Sequence, residues 1–338
     1  MHLTNYNNCI YCNSKNLKKE KEQSIPQNFY LKAIIKDLKL TKKIIKKMNV
    51  YECQNCKILQ NNPWFSENTS RKIYSNIYGQ HNRSWSNLIN FLSKKKLPDH
   101  GSLFNILNRE INIKNYAEYN APFMGFFLNF FSNEYKQNSN FYSKIFLNII
   151  KYLTSRQLAG KSKNFQLKNS VKGEFFLNQI DKLKTKNLLK KKINKYLFID
   201  NSSLCWGQND NYKSVNSRSF ASELLDLKIL DLNNQNKKNK LDLFGIFHTL
   251  DHTFQPQKIL NYALDVSRYV VVYCHINKNL EKQHLFSLTK NFLKYLNKNK
   301  IFTINLTEKI NKSYKVPELY FLCSKKKITL KSLKNNKI

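Results

Sequence analysis

Two Cys-x-x-Cys pairs, Cys9/Cys12 and Cys53/Cys56, hold four of the chain's seven cysteines and constrain its folding more than any other feature. Each pair presents two thiolates from one tight turn, and two such pairs complete a closed tetrahedral zinc site. The first reads Cys9-Ile-Tyr-Cys12-Asn-Ser and the second Tyr51-Glu-Cys53-Gln-Asn-Cys56-Lys-Ile-Leu. Four sulfur ligands leave no open position for substrate, so the expected role of the metal is structural. Residues 13–52, between the pairs, exceed the usual ribbon spacing. That spacing predicts a lysine-rich insertion over residues 15–47, helical in character. Disulfide pairing is the alternative, and the lack of a secretory leader argues against it.

At 338 residues the chain can hold two domains, one much smaller than the other. A content of 41% hydrophobic and 13% aromatic residues excludes a disordered chain. No apolar run approaches the roughly 18 residues that cross a bilayer. The Phe-rich stretch 121–131 is too short and reads as a buried helix, with contact at a membrane surface as the alternative. Cysteines 205, 274 and 323 lie outside the pairs and no targeting segment is visible, so the expected compartment is the cytoplasm. A net charge of +36 would ordinarily point to nucleic acid or anionic lipid. Here the lysines are scattered, arginine is scarce, and asparagine and isoleucine are abundant, the bias that AT-rich coding produces. A solvated basic surface is the preferred reading, and nucleic acid is not the expected partner.

Residues 1–65 read as a zinc-ribbon module with its insertion, 66–190 as a helical region and connector, 191–330 as an α/β domain, and 331–338 as a basic tail. Three- and four-residue apolar steps predict helices over 67–78, 84–96, 123–131 and 141–152, with a further one over 174–184. From residue 193 onward, short β-branched and aromatic runs alternate with helical stretches. Strands are predicted over 196–200, 227–232, 241–247, 268–275, 302–306 and 318–323, and helices over 218–225, 257–264 and 285–297. This alternation predicts an α/β fold with a mostly parallel sheet. The strand at 196–200, ending in Asp200, is the first that this alternation predicts.

Ligands of such sheets bind outside the carboxyl ends of the strands. Three strand ends carry chemistry: Asp200-Asn-Ser-Ser-Leu-Cys-Trp-Gly207, His248-Thr-Leu-Asp251-His252 with Pro256 beyond it, and Cys274-His275-Ile-Asn277. Histidines 248, 252 and 275 all fall on this rim, and an imidazole titrating near neutrality suits a proton-transfer step. The same His-x-x-Asp-His also invites a zinc-hydrolase reading. Asp in place of Glu, the strand immediately before it and Pro256 after it argue against that.

A resemblance gathers these pieces. Cys9-x-x-Cys12, Cys53-Gln-Asn-Cys56-Lys-Ile-Leu-Gln-Asn-Asn-Pro63, Ile73-Tyr-Ser-Asn-Ile-Tyr78, Leu241-Asp-Leu-Phe-Gly-Ile-Phe-His-Thr-Leu-Asp-His252 and Lys282-Gln-His284-Leu-Phe-Ser-Leu-Thr289 occur in that order. They resemble the zinc-ribbon-containing class I S-adenosylmethionine-dependent methyltransferases of the sugar C-methyltransferase and surface-polysaccharide group. The resemblance implies a Rossmann-like methyltransferase sheet with a final antiparallel strand, structural zinc, and a sugar-nucleotide or polysaccharide-precursor acceptor. It implies that His252 acts as base or substrate contact, Asp251 as its orienting carboxylate or a substrate contact, and His284 in closing the pocket; capping of the helix predicted from 285 is the plainer reading of His284. Asp200, Ser202, Gly207, Asp231 and His248 fall where the cofactor is held, and Tyr78 and His81 where the acceptor sits. The chain departs from the family after Asp200, where one glycine stands in place of three and Trp206 intrudes. One strand–helix unit also looks missing. A catalytically silent scaffold and a nucleic-acid-binding ribbon protein are the alternatives.

Overall fold

The computed structural model describes residues 3–24, 47–67, 100–119, 194–199, 228–231, 241–247, 250–276, 284–309 and 318–330. The helices expected within 68–99, 123–184 and 218–225, the basic tail, and Tyr78, His81, Asp200, Ser202, Gly207 and His248 lie outside them.

The amino-terminal module is built on hairpins. Strand β2 (Leu17–Ser24) pairs antiparallel with β3 (Lys47–Cys53), from Leu17 opposite Cys53 to Ser24 opposite Lys47. Strand β4 (Leu59–Asn62) pairs antiparallel with the other side of β3, and β1 (Leu3–Thr4) pairs with β5 (Trp64–Phe65). The first residues of the lysine-rich insertion are therefore strand, not helix. A ladder along β3 outweighs the weak intrinsic preference of Leu-Lys-Lys-Glu-Lys-Glu-Gln-Ser.

The larger body is a seven-stranded sheet. Its strands are β6 (Asn115–Tyr119), β7 (Asn194–Ile199), β8 (Lys228–Asp231), β9 (Leu241–Phe247), β10 (Ser267–His275), β12 (Phe302–Asn305) and β13 (Glu318–Ser324). They lie in the order β12-β13-β10-β9-β6-β7-β8. Strands β8, β7, β6, β9 and β10 run parallel, while β13 is antiparallel to both β10 and β12. The sheet is thus mixed and mostly parallel, as the alternation in sequence predicts.

One expectation is corrected. The strand ending at Ile199, just before Asp200, is the second of the sheet in chain order, and the first is β6, within the stretch read as helical. Among the described residues the sheet holds seven strands, and β6, only five residues long, has too short a period to stand out beside the helical stretches predicted around it. Helix α1 (His100–Ile111) delivers the chain to β6 and ends at Asn112 in the left-handed region (φ 54°). The Asn108 carbonyl accepts from the Asn112 amide at 2.9 Å, and the Asn108 side-chain oxygen from the Ile113 amide at 3.0 Å. Asp242, at the start of β9, accepts from the amides of Lys114 and Asn115 at 2.9 and 2.8 Å. One carboxylate therefore ties the beginnings of two central strands together, and their register with them.

Side chains alternate across the sheet. Phe244, Ile246, Val270, Val272, Cys274, Phe321 and Cys323 share one buried core with Ile259, Leu260, Ala263 and Leu264 of α2 (Pro256–Val266). Phe292 and Leu296 of α3 (Lys290–Lys298) belong to the same core. Tyr116, Phe247, Tyr273 and Tyr320 are buried in the alternate positions, with Tyr273 stacked on Tyr320 at 4.1 Å. Here Gly245 is a packing requirement. A Cβ at 245 would collide with the Tyr116 hydroxyl and lie 2.6 Å from Phe247 Cε2. Gly245→Ala is expected to destabilise the protein by about 1–3 kcal/mol. Denaturant melts check this, and an unchanged midpoint would contradict the packing.

Helix α3 also starts later than the predicted 285, at Lys290. Residues Phe286–Ser287 form β11, which pairs antiparallel with β4, Phe286 opposite Gln60 and Ser287 opposite Leu59. The ladder of the amino-terminal module has captured what would have been the first helical turn.

Candidate functional site

The two cysteine pairs fold into matching knuckles. In the first, the Cys9 amide donates to the Ser14 carbonyl at 2.8 Å and the Asn13 amide to the Cys9 carbonyl at 2.9 Å. In the second, the Cys53 amide donates to the Ile58 carbonyl at 2.9 Å and the Lys57 amide to the Cys53 carbonyl at 2.8 Å. Each turn is completed by a left-handed residue just after its second cysteine, Asn13 (φ 57°) and Lys57 (φ 63°). Asparagine adopts that region readily, whereas lysine does so at a cost of about 1–2 kcal/mol.

These turns bring four sulfurs together, all within 4.8 Å of one another. Cys9 Sγ lies 3.4 Å from Cys56 Sγ, and Cys12 Sγ lies 3.6 Å from Cys53 Sγ. A disulfide needs about 2.05 Å, and the cysteines are free thiols. Around a zinc ion, sulfurs at about 2.3 Å sit roughly 3.8 Å apart at the corners of a tetrahedron. The cluster has close to that spacing. Cys9, Cys53 and Cys56 are buried, and Cys12 is half-buried. Hydrogen bonds from the thiols of Cys56 and Cys9 hold Cys12 down to about 2, while the bond to Cys12 pushes Cys9 up to about 12. Cys56 is raised as well, first by its bond to Cys12 and also by burial. A bound cation would take the place of the protons these sulfurs share. Asn55 Nδ2 donates to Cys12 Sγ at 3.6 Å, a support of the kind that orients a ligand. The donor set fits zinc in a closed, structural site.

The four-cysteine module does not stand apart from the seven-stranded sheet. Asn61, buried in β4, donates its amide to the Leu285 carbonyl at 2.9 Å and its side-chain Nδ2 to the His284 carbonyl at 2.8 Å. Thr289 Oγ1 donates to the Lys57 carbonyl at 2.6 Å. Tyr11, between the first two cysteines, meets Phe292 of α3 edge-on at 4.8 Å.

At the carboxyl end of β9 the chain enters a 3-10 turn, Leu250–His252. Asp251 is 1% exposed, and its Oδ2 lies 3.5 Å from Nε2 of His284, itself 3% exposed. Two predicted site residues, 33 positions apart in sequence numbering (284 − 251), are therefore brought together. The main chain of His252 closes the same turn. His275 ends β10 opposite Glu318, and Asp231 ends β8 opposite Ile199.

The strand order reverses between β6 and β9, where a crevice opens in sheets of this kind. Near the carboxyl end of β6, beside Gly245 in the ladder, sits Glu118, fully buried and accepting a hydrogen bond from Tyr116 Oη at 2.7 Å. Burial, and then the Glu118 charge, push the Tyr116 hydroxyl well above the usual phenol range. Sequence reasoning missed Glu118. The available signal was an acid closing a short apolar run, followed by Asn120, Ala121 and then Gly125.

An open cleft of about 620 Å³ lies between the first knuckle and the start of α2. Asn5, Asn7 and Asn8 line one wall, Gln255 and Lys258 the other. The rings of Tyr6 and Phe254 stand 6.4 Å apart within it.

No family model matches the chain, and no curated protein matches it. Among solved structures, that of the 16S rRNA methylase ArmA covers 77% of this chain and 90% of its own, at 12% identity and a TM-score of 0.28. A likeness of that size transfers neither fold nor activity. No helix among the described residues is long and apolar enough to cross a membrane.

Proposed function

We propose that this protein is an S-adenosylmethionine-dependent methyltransferase with a structural zinc ribbon, acting on a sugar nucleotide or polysaccharide precursor. The observation that carries the reading is the order of the sheet. Numbered along the chain, its strands lie 3-2-1-4-5-7-6 with only the seventh reversed. That is the order expected of the class I methyltransferase domain that the sequence resembles.

The cofactor side then shifts along the chain. With β6 as first strand, buried Glu118 holds the acidic position at the switch point. A carboxylate at that point fits a ligand carrying ribose hydroxyls and a cationic sulfonium. Asp200 follows the second strand, where an acid meets ribose hydroxyls, and Asp231 closes the third. Ser202, Gly207 and His248 remain candidates for lining the same pocket, and Tyr78 and His81 for the acceptor side. When bound, S-adenosylmethionine supplies an electrophilic methyl group. The chain must orient the acceptor, exclude water and accept a proton. His252 is the proton acceptor in this reading. Asp251 and His284, paired beneath the turn, fix where that turn sits.

The cleft supports a polyhydroxylated acceptor. Its side-chain amides can pair with vicinal hydroxyls, its rings can cover an apolar sugar face, and Lys258 can meet a phosphate. Calorimetry with S-adenosylmethionine tests the central claim. Saturable binding is expected, weakened at least about tenfold by Glu118→Gln, the loss of one charge-assisted hydrogen bond. Absence of heat at millimolar ligand would leave a silent scaffold. If affinity for unrelated RNA instead fell steeply with salt, the basic charge would mark a nucleic-acid binder.

A further inference from the structure

We infer that Asn61 is a positioning residue that ties the state of the four-cysteine centre to the buried Asp251–His284 pair. The coupling stands on its own geometry, and only its consequence for turnover rests on the function proposed above.

Asn61 is fully buried and holds two consecutive carbonyls, that of His284 through its side chain and that of Leu285 through its main chain. Two bonds from one residue fix both peptide planes, and with them the direction in which His284 leaves the backbone. His284 then reaches Asp251 at 3.5 Å. On its other side, Asn61 belongs to β4, which begins at Leu59, directly after the knuckle of Cys53 and Cys56. That knuckle is the turn joining β3 to β4, so the metal that closes it also sets where β4 begins. A third contact binds the knuckle itself, because the Lys57 carbonyl accepts from Thr289 Oγ1 at 2.6 Å. Residues 284–289 are thus gripped at both ends by the ribbon, with the β11–β4 pairs between.

The structure holds this segment paired to β4; an equilibrium between that form and a released one is what would let the distant centre bias the rim. Metal in the ribbon favours the paired form and holds His284 against Asp251. Loss of metal frees β4, and the strap with it. The cysteine centre would then govern the rim, beyond stabilising its own hairpins.

The test uses the full-length, zinc-loaded protein with Asn61→Leu and Thr289→Val. Three readouts are followed: zinc per chain, hydrogen exchange of the peptide spanning residues 284–289, and the His284 imidazole resonance, assigned through His284→Gln. Asn61→Leu should retain zinc and a cooperative melt, yet quicken exchange over 284–289 about tenfold and move the His284 signal. Chelating zinc from the unmodified protein should reproduce both changes. Should Asn61→Leu not fold, Thr289→Val and chelation carry the same comparison. Unaltered exchange over 284–289 and an unmoved His284 signal on zinc removal would overturn the coupling. None of these readouts needs methyl transfer, so failure of calorimetry with S-adenosylmethionine is a separate result. In active protein, kcat should fall in Asn61→Leu while the KM for S-adenosylmethionine holds.

Discussion

Cys53→Ser is expected to remove the metal-binding capacity proposed for the four cysteines and to destabilise the sheet as well as the amino-terminal module. Cys53 is fully buried, and its sulfur lies 3.6 Å from Cys12 Sγ. A serine hydroxyl there is a poor ligand for zinc and an unfavourable group to bury. Structural zinc contributes on the order of 10 kcal/mol in small modules at neutral pH, more than any other single group here. From sequence alone, the damage would stop at the small module and leave the remaining half folded. The structure changes that expectation, because the core is continuous. Cys9, Tyr11, Cys53, Cys56 and Trp64 share one buried cluster with Phe244, Val270, Phe292 and Phe321. Antiparallel pairing between β4 and β11 crosses the same boundary. Metal analysis and denaturant melts, recorded together, check the prediction. Full zinc occupancy in the variant would refute the ligand assignment. A second unfolding transition identical to that of the parent protein would refute the shared core.

The second large effect is on turnover. On the function proposed above, His252→Ala is expected to lower methyl transfer by about 10²–10⁴-fold, the range that general acid–base groups supply. Zinc content and cooperative melting should be retained. Asp251→Leu should behave differently, costing about 3 kcal/mol of stability because one member of a buried polar pair is removed. Its effect on rate should follow from displacement of the turn that carries His252. Side-by-side rates and melts separate the two. Wild-type turnover in His252→Ala would move the proton acceptor elsewhere on the rim. A melt of Asp251→Leu matching the parent would mean that the contact with His284 contributes nothing.

The legible parts of this chain share one property, that their signal is local. Cys-x-x-Cys turns declare their ligands within four residues, and β9, with its run Leu-Asp-Leu-Phe-Gly-Ile-Phe, was read with its observed bounds. Strand β10 carries an apolar run that only a covered strand accommodates, and β13 was placed to within one residue. Helix α2 announced itself by Pro256 at its first turn and apolar steps behind it. Elements decided by a distant partner were misread. Leu17–Ser24 is a strand because β3 offers it a ladder. Phe286–Ser287 is a strand because β4 does the same, and His284 is buried against Asp251 instead of capping a helix for the same reason. The short run Asn115–Tyr119 is the first strand of the sheet because it lies between β9 and β7, a placement its five residues do not encode locally.

From residue identities alone, then, came the four clustered cysteines and the mostly parallel α/β character, since side-chain type and period are written locally. Tertiary structure alone decided which strand comes first, which acid occupies the switch point and which groups meet in the buried pair. The physical reason is that backbone hydrogen bonds are satisfied by whatever partner folding delivers. In the bond from Asn61 to His284, that partner lies 223 residues away.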